Sequence, residues 1–96
     1  MTVHEESSVE IIECAAIKSS YDNKIYAMER PNRHHNIIHY LAFEVGLPTP
    51  IKGNQGFLTS RGRFVDRKEA SAIAFFSRQI KDDNYKISTL YSEDLW

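Results

Sequence analysis

The sequence is poor in residues that usually carry chemistry or constrain a chain: one cysteine, one tryptophan, two methionines and three prolines among 96 residues. A lone Cys14 within an apolar run excludes a disulfide framework and a cysteine-based zinc site in one chain, and it reads as a small buried hydrophobe. No apolar run approaches the roughly 18 residues that a membrane-spanning helix needs. The opening MTVHEESS is polar and acidic, unlike a secretory signal, so a soluble intracellular protein is expected. An excess of positive charge is also missing. The formal net charge of -1 argues against a protein that coats nucleic acid by neutralising many phosphates.

With no internal repeat and no low-complexity segment, 42% hydrophobic and 26% charged residues describe one small domain over residues 1–96, the first eight residues being flexible. Local charge is less even than the total. Glu5, Glu6, Glu10 and Glu13 make the start acidic, whereas Lys52, Arg61, Arg63, Arg67 and Lys68 face only Asp66 across residues 52–68.

Hydrophobic patterning predicts an α+β fold, with an N-terminal β-hairpin and short strands forming a small antiparallel sheet with two helices. Residues 9–18 carry Val9, Ile11, Ile12, Cys14, Ala15, Ala16 and Ile17, the pattern of a strand covered on both faces. Asp22 and Asn23 mark a turn, and residues 24–29 alternate Ile25 and Ala27 against Tyr26 and Met28 until Arg30 and Pro31 end the hairpin. Asn32 is the expected N-cap of a first helix, whose Ile37, Ile38, Leu41, Ala42 and Val45 keep helical spacing up to Gly46. A loop containing Pro48, Pro50 and Gly53 leads to a strand over 56–60, a tight turn at Arg61 and Gly62, and a short strand over 63–65. Asp66 with Glu69 three residues later opens a second helix to about Ile80, burying Ala70, Ile73, Ala74, Ser77 and Ile80. Residues 81–86 are polar and turn-like. Residues 87–96 regain Leu90, Tyr91, Leu95 and Trp96, and are expected as a strand or an extended arm that covers the tryptophan.

At 100° per residue, Phe43 lies nearly opposite the apolar stripe of the first helix and Phe75 nearly opposite that of the second. Together with Trp96 they favour a homo-oligomer. The alternative is that the helices pack on each other or lie under the tail.

Two segments concentrate polar chemistry. In HHNIIH, His35 and His39 share a helical face at metal-ligand spacing, but no further ligand is named by the sequence, so ordinary surface histidines are the preferred reading and neither a metal nor a cofactor is expected. Arg33 and His34 near that helix start can add donors to an anion pocket. The turn Thr59, Ser60, Arg61, Gly62, Arg63, followed by Arg67, supplies guanidinium groups, hydroxyls and glycine-turn N–H donors. The competing reading has Arg61 and Lys68 solvated, and Arg63 or Arg67 paired with Asp66, Glu69 or the tail carboxylates Glu93 and Asp94. Phe57 and Tyr91 are candidate stacking surfaces.

Catalysis is less well supported than binding. Ser60 or Thr59 with His34 or His35 would give a nucleophile and a base, yet Asp66 and Glu69 are already accounted for as capping groups and no nucleophile-elbow motif is present. Arg67, Lys68, Arg78 and Lys81 could touch phosphates, but no aromatic platform or helix-turn-helix pattern supports sequence-specific nucleic-acid recognition.

The motifs RHHNIIH (residues 33–39), QGFLTSRGRFVDRKEA (55–70) and LYSEDLW (90–96) resemble a family of small proteins encoded in tailed-phage and prophage genomes. The resemblance covers most of the chain from Arg33 onward and transfers no functional residue. It departs at FFSRQIK, where the family pattern would have smaller residues and a glycine before Gln79 and Ile80, which questions an ordinary helix end there. It implies a phage accessory protein in the bacterial host cytoplasm, a setting in which small oligomers sequester nucleotide signals of host defence and others block host proteins. The leading expectation is a non-catalytic oligomer that binds a phosphate-bearing small molecule through Arg61, Arg63 and Arg67, supported by Thr59, Ser60, His34 and Arg33. The alternative is a protein–protein inhibitor or structural accessory protein, with a host defence protein as target and Phe43, Phe75 and Trp96 as anchors.

Overall fold

A computed structural model describes residues 9–80 and 87–96. The expected flexibility of residues 1–8 and the polar turn at 81–86 lie outside the described residues, as does the side chain of Glu93.

Four strands form one antiparallel sheet in the order β2-β1-β3-β4, with β1 (Ile12–Ser19), β2 (Ile25–Met28), β3 (Gly53–Thr59) and β4 (Phe64–Asp66). Central β1 is the most buried strand because both its neighbours are strands and helices cover one of its faces. Register places Ala15 opposite Met28 on one side and Phe57 on the other, and Phe57 opposite Val65. That row faces the helices, since successive side chains in a strand point to opposite faces. Its members join Ile37, Leu41, Ala70, Ala74 and Leu90 in the core.

The α+β expectation holds, with several boundaries moved. β3 starts at Gly53 rather than Gly56 because residues 53–55 pair through the backbone with Ile17, Lys18 and Ser19, which polar Asn54 and Gln55 permit as well as apolar residues would. Gly56 is required by its surroundings: a Cβ there would stand 2.1 Å from the Val65 carbonyl oxygen and 2.8 Å from the Phe64 ring. The turn between β3 and β4 uses Gly62 at φ 77°, a left-handed conformation that glycine adopts without penalty.

The first helix, α1 (His34–Tyr40), begins one residue later than expected. Arg33 is the N-cap, its N–H donating to Asn36 Oδ1 at 2.8 Å, while Asn32 Nδ2 turns back to the Glu29 carbonyl at 2.8 Å. Its last turn widens into a π-helical segment, Leu41–Val45, and ends at Gly46 with φ 83°, the stop expected from sequence.

The second helix, α2 (Arg67–Phe76), starts as the sequence indicates, with Asp66 Oδ1 accepting the Glu69 N–H at 2.7 Å. It stops short of Ile80. Arg78 occupies the left-handed region at φ 66°, the place where a glycine was expected, and the chain turns so that Gln79 faces β1. The Gln79 amide accepts the Ile12 N–H at 2.7 Å and donates to the Ile12 carbonyl at 2.9 Å, satisfying the strand backbone beside the irregularity between Ile12 and Cys14. The innermost α2 residues are Ala70, Ser71 and Ala74, with Ile73 only half-buried.

Residues 87–96 form an extended arm with one 3₁₀ turn (Ser92–Asp94), not a strand. Leu90 enters the core, and its N–H donates to the Arg67 carbonyl at 3.0 Å. Trp96 lies under the Arg30 guanidinium, 4.5 Å from its ring centroid, and donates through Nε1 to the Asn32 carbonyl at 3.0 Å. Among the described residues, no helix is long and apolar enough to cross a membrane.

Candidate functional site

The basic turn is built around one carboxylate. Thr59 Oγ1 accepts the N–H groups of Arg61 at 3.2 Å and Arg63 at 3.3 Å, and Ser60 Oγ accepts the Ile11 N–H at 3.0 Å, so both hydroxyls fasten the turn to the chain entering β1. Arg63 forks onto Glu10 through Nε at 2.9 Å and Nη2 at 2.8 Å, while Nη1 reaches Glu69 at 3.2 Å. Arg61 approaches the same Glu10 at 3.9 Å. Hydrogen bonds from Arg63, then from the Thr59 hydroxyl, hold the Glu10 carboxyl down from an ordinary 4.5 to about 2. The pairing of Arg63 with Glu69 was among the sequence expectations. Glu10, 53 positions away, was not considered as a partner.

Arg67 belongs to a different end of the sheet. The ladder sets Arg63 beside Thr59 and Asp66 opposite Gly56, so Arg67 comes level with Gln55, about 13 Å along the strands. The three arginines therefore do not converge. Arg61, Arg63, Thr59 and Ser60 gather at one end, and Arg67 sits with His34, Phe57 and Tyr91 toward the other.

Around Arg67 the three sequence motifs meet. Its Nη1 donates to the Leu90 carbonyl at 2.8 Å, its Nη2 to Gln55 Oε1 at 2.6 Å and to His34 Nδ1 at 3.3 Å, and the guanidinium lies 4.8 Å from the centroid of the Tyr91 ring. His34 is 6% exposed and bonds through Nε2 to the Gly56 carbonyl at 2.7 Å. A carbonyl can only accept, so Nε2 carries the proton and Nδ1 offers its lone pair to Arg67, which is the neutral form of the ring. Arg33 donates to the Trp96 carbonyl across the arm. Phe57 is 0% exposed and meets the His34 and Trp96 rings edge-on at 5.1 and 6.4 Å, so a ligand has no access to its faces in this conformation.

Beside Arg67 lies an open polar hollow of about 590 Å³. Lys18, Asn54, Gln55 and Phe64 bound it with Asp66, Arg67 and Glu69. Asp66 is engaged by the α2 backbone and Glu69 by Arg63. Sequence reasoning did not single out Lys18 or Asn54, although a lysine at the end of an apolar strand is a readable signal. Nor did it single out Phe64.

Apolar surface is concentrated elsewhere. Phe76 on α2 is 75% exposed and, with Val9, Ala72 and Ile73, lines a groove of about 290 Å³. Phe75 meets the Phe76 ring at 5.4 Å. Phe43 is 73% exposed, against the His39 ring at 4.5 Å, and Tyr40 borders a second hollow of about 350 Å³ with Ile25 and Met28. Both Phe43 and Phe75 thus lie on outer faces, as their spacing implied, while Phe76, on the flank of the α2 stripe, was not singled out. Trp96 is covered by Arg30 and the core. His35 is exposed, and among the described residues no group of three metal-ligating side chains is assembled.

These features define a small two-layer α+β protein, helices on one face of an antiparallel sheet, whose C-terminal arm is fastened to the junction of helix and sheet. A family model described as Phage T4 y16D protein matches residues 11–96, and the chain belongs to that small phage protein family. No curated protein and no solved structure matches the chain.

Proposed function

We propose that the chain is a phage accessory protein that captures a phosphate-bearing small molecule, such as a signalling nucleotide of host defence, in the host cytoplasm. The supporting observation is the polar hollow in which Arg67, oriented by Gln55, His34 and Leu90, stands with Lys18 and two amide side chains. Fixed guanidinium geometry suits phosphate, and a hollow of about 590 Å³ falls in the usual range for small-molecule sites. Arg61 and Arg63 serve this reading at a distance, by holding Glu69 and Glu10.

The test is a thermal-shift screen against nucleotides, with mass spectrometry of ligand released on denaturation. Capture predicts a concentration-dependent rise in Tm, an unchanged ligand, and a smaller rise in Lys18→Ala. A chemically altered ligand would indicate an enzyme, and a flat screen would refute capture.

A second reading is favoured by Phe76, whose 75% exposure beside an apolar groove is a contact surface for a protein partner, either a host defence protein or a second copy of the chain. Sedimentation equilibrium separates these. Self-association lost in Phe76→Ser supports an oligomer through α2, and a monomer at micromolar concentration removes it.

A further inference from the structure

The hollow beside Arg67 has an aromatic wall, and the register explains why it is there. Phe64 pairs with Leu58 and Leu58 with Cys14, a row on the sheet face turned away from the helices. In the next row Gly56 bears no side chain, and the Phe64 ring leans into the space that a Cβ would occupy, 2.8 Å away. Beyond Gly56 on the same face comes Asn54, with Lys18 directly across the ladder. Aromatic ring, amide and ammonium therefore follow one another along the outer face, and Arg67, whose guanidinium is held by Gln55 and His34 on the helix side of β3, borders the same hollow.

We propose that this end of the sheet takes a purine nucleoside phosphate, the base lying on Phe64 and read by Asn54, the phosphate held between Lys18 and Arg67. The inference rests on the capture reading above and assigns the base half of that ligand. Each part has a matching chemistry. An aromatic ring accepts any base face, an asparagine amide pairs with the donor and acceptor on the adenine edge, and two cations flank a dianionic phosphate. Phe57 and Tyr91 are occupied differently, one sealed in the core and the other stacked by Arg67. Phe64 is the aromatic side chain that borders the hollow.

The experiment is a titration of adenosine 5′-monophosphate, adenosine and inorganic phosphate into the full chain, followed by heteronuclear NMR. The expected result is saturable binding of the nucleotide with shifts at Lys18, Asn54, Phe64 and Arg67, at least about tenfold tighter than inorganic phosphate. Phe64→Leu should bring nucleotide affinity down to that of phosphate, and Lys18→Ala should weaken both. Because Phe64 also packs over Gly56, the exposed Asn54→Ala provides a second variant, expected to weaken nucleotide severalfold without altering phosphate binding. Equal affinity for nucleotide and phosphate would overturn the base assignment while leaving phosphate capture intact. Tight nucleotide binding unchanged in both variants would overturn the location. No binding of nucleotide or phosphate would overturn this inference and the capture reading together.

Discussion

Arg67 donates to Nδ1 of His34 at 3.3 Å while the opposite ring nitrogen of that histidine donates to the Gly56 carbonyl at 2.7 Å. This relay ties the start of α2 to the start of α1 through the middle of β3. It also couples the polar hollow to the arm, since the same guanidinium holds Leu90 and lies over Tyr91. Removing His34 takes the imidazole hydrogen bond from the Gly56 carbonyl and opens a cavity. His34→Ala is expected to lower stability by about 2–4 kcal/mol in urea denaturation, whereas His34→Gln, which keeps a donor, should lose less.

The Glu10 fork predicts a specific acid response. A carboxyl whose folded-state pKa is depressed contributes stability that is fully present above its unfolded value and disappears as the pH falls through the folded one. For Glu10 that window runs from 4.5 down to about 2. Chemical denaturation between pH 6 and pH 2 should show stability falling through this range, and Glu10→Gln should flatten the profile there while lowering stability at pH 6.

Arg78 offers a gain rather than a loss. A non-glycine residue held at φ 66° carries a conformational penalty that glycine does not. Arg78→Gly should stabilise the protein by about 0.5–1 kcal/mol, read as a rise in Tm of a few degrees. An unchanged or lower Tm would mean that the arginine side chain contributes more than its backbone costs.

Docking of the arm can be followed optically, because Trp96 is the only tryptophan. Its indole is stacked by Arg30, hydrogen-bonded to Asn32 and set against Phe57. Arg30→Ala removes the stacking cation and its hydrogen bond to the Glu13 carbonyl. The expected outcome is a red shift of tryptophan emission and a loss of about 1–2 kcal/mol, seen as an earlier fluorescence transition on heating.

Much of the fold was legible because it depends on local rules. Asp66 and Glu69 announced the start of α2, Gly46 the end of α1, and the apolar run around Ala15 the central strand. Other boundaries were not, for equally physical reasons. Gln55 and Asn54 join β3 through backbone pairing that leaves no mark in hydropathy, and Arg33 displaces Asn32 as a cap because the Asn36 side chain reaches back to it. At the end of α2 Arg78 takes the left-handed position, and nothing in the sequence said that the turn would aim Gln79 at Ile12.

The candidate site was legible in its members but not in their grouping. Sequence proximity suggested that Arg61, Arg63 and Arg67 act together, yet an extended strand separates residues four apart by about 13 Å, so Arg63 and Arg67 reach different neighbours. Glu10 could not be foreseen as the partner of Arg63 because their contact spans 53 positions and depends on β1 and β3 being adjacent.

By itself the sequence determined the α+β class, the start of α2, the outer placement of Phe43 and Phe75 and the likeness to phage proteins, since each rests on spacing, capping or motif along the chain. Only the tertiary structure decided that Arg63 is engaged by carboxylates, that Arg67, His34 and the arm form one cluster, and that Lys18 and Phe64 face the same hollow. Those facts depend on which strands lie side by side, and strand order and register are set by the packing of the whole core around Ala15 and Phe57.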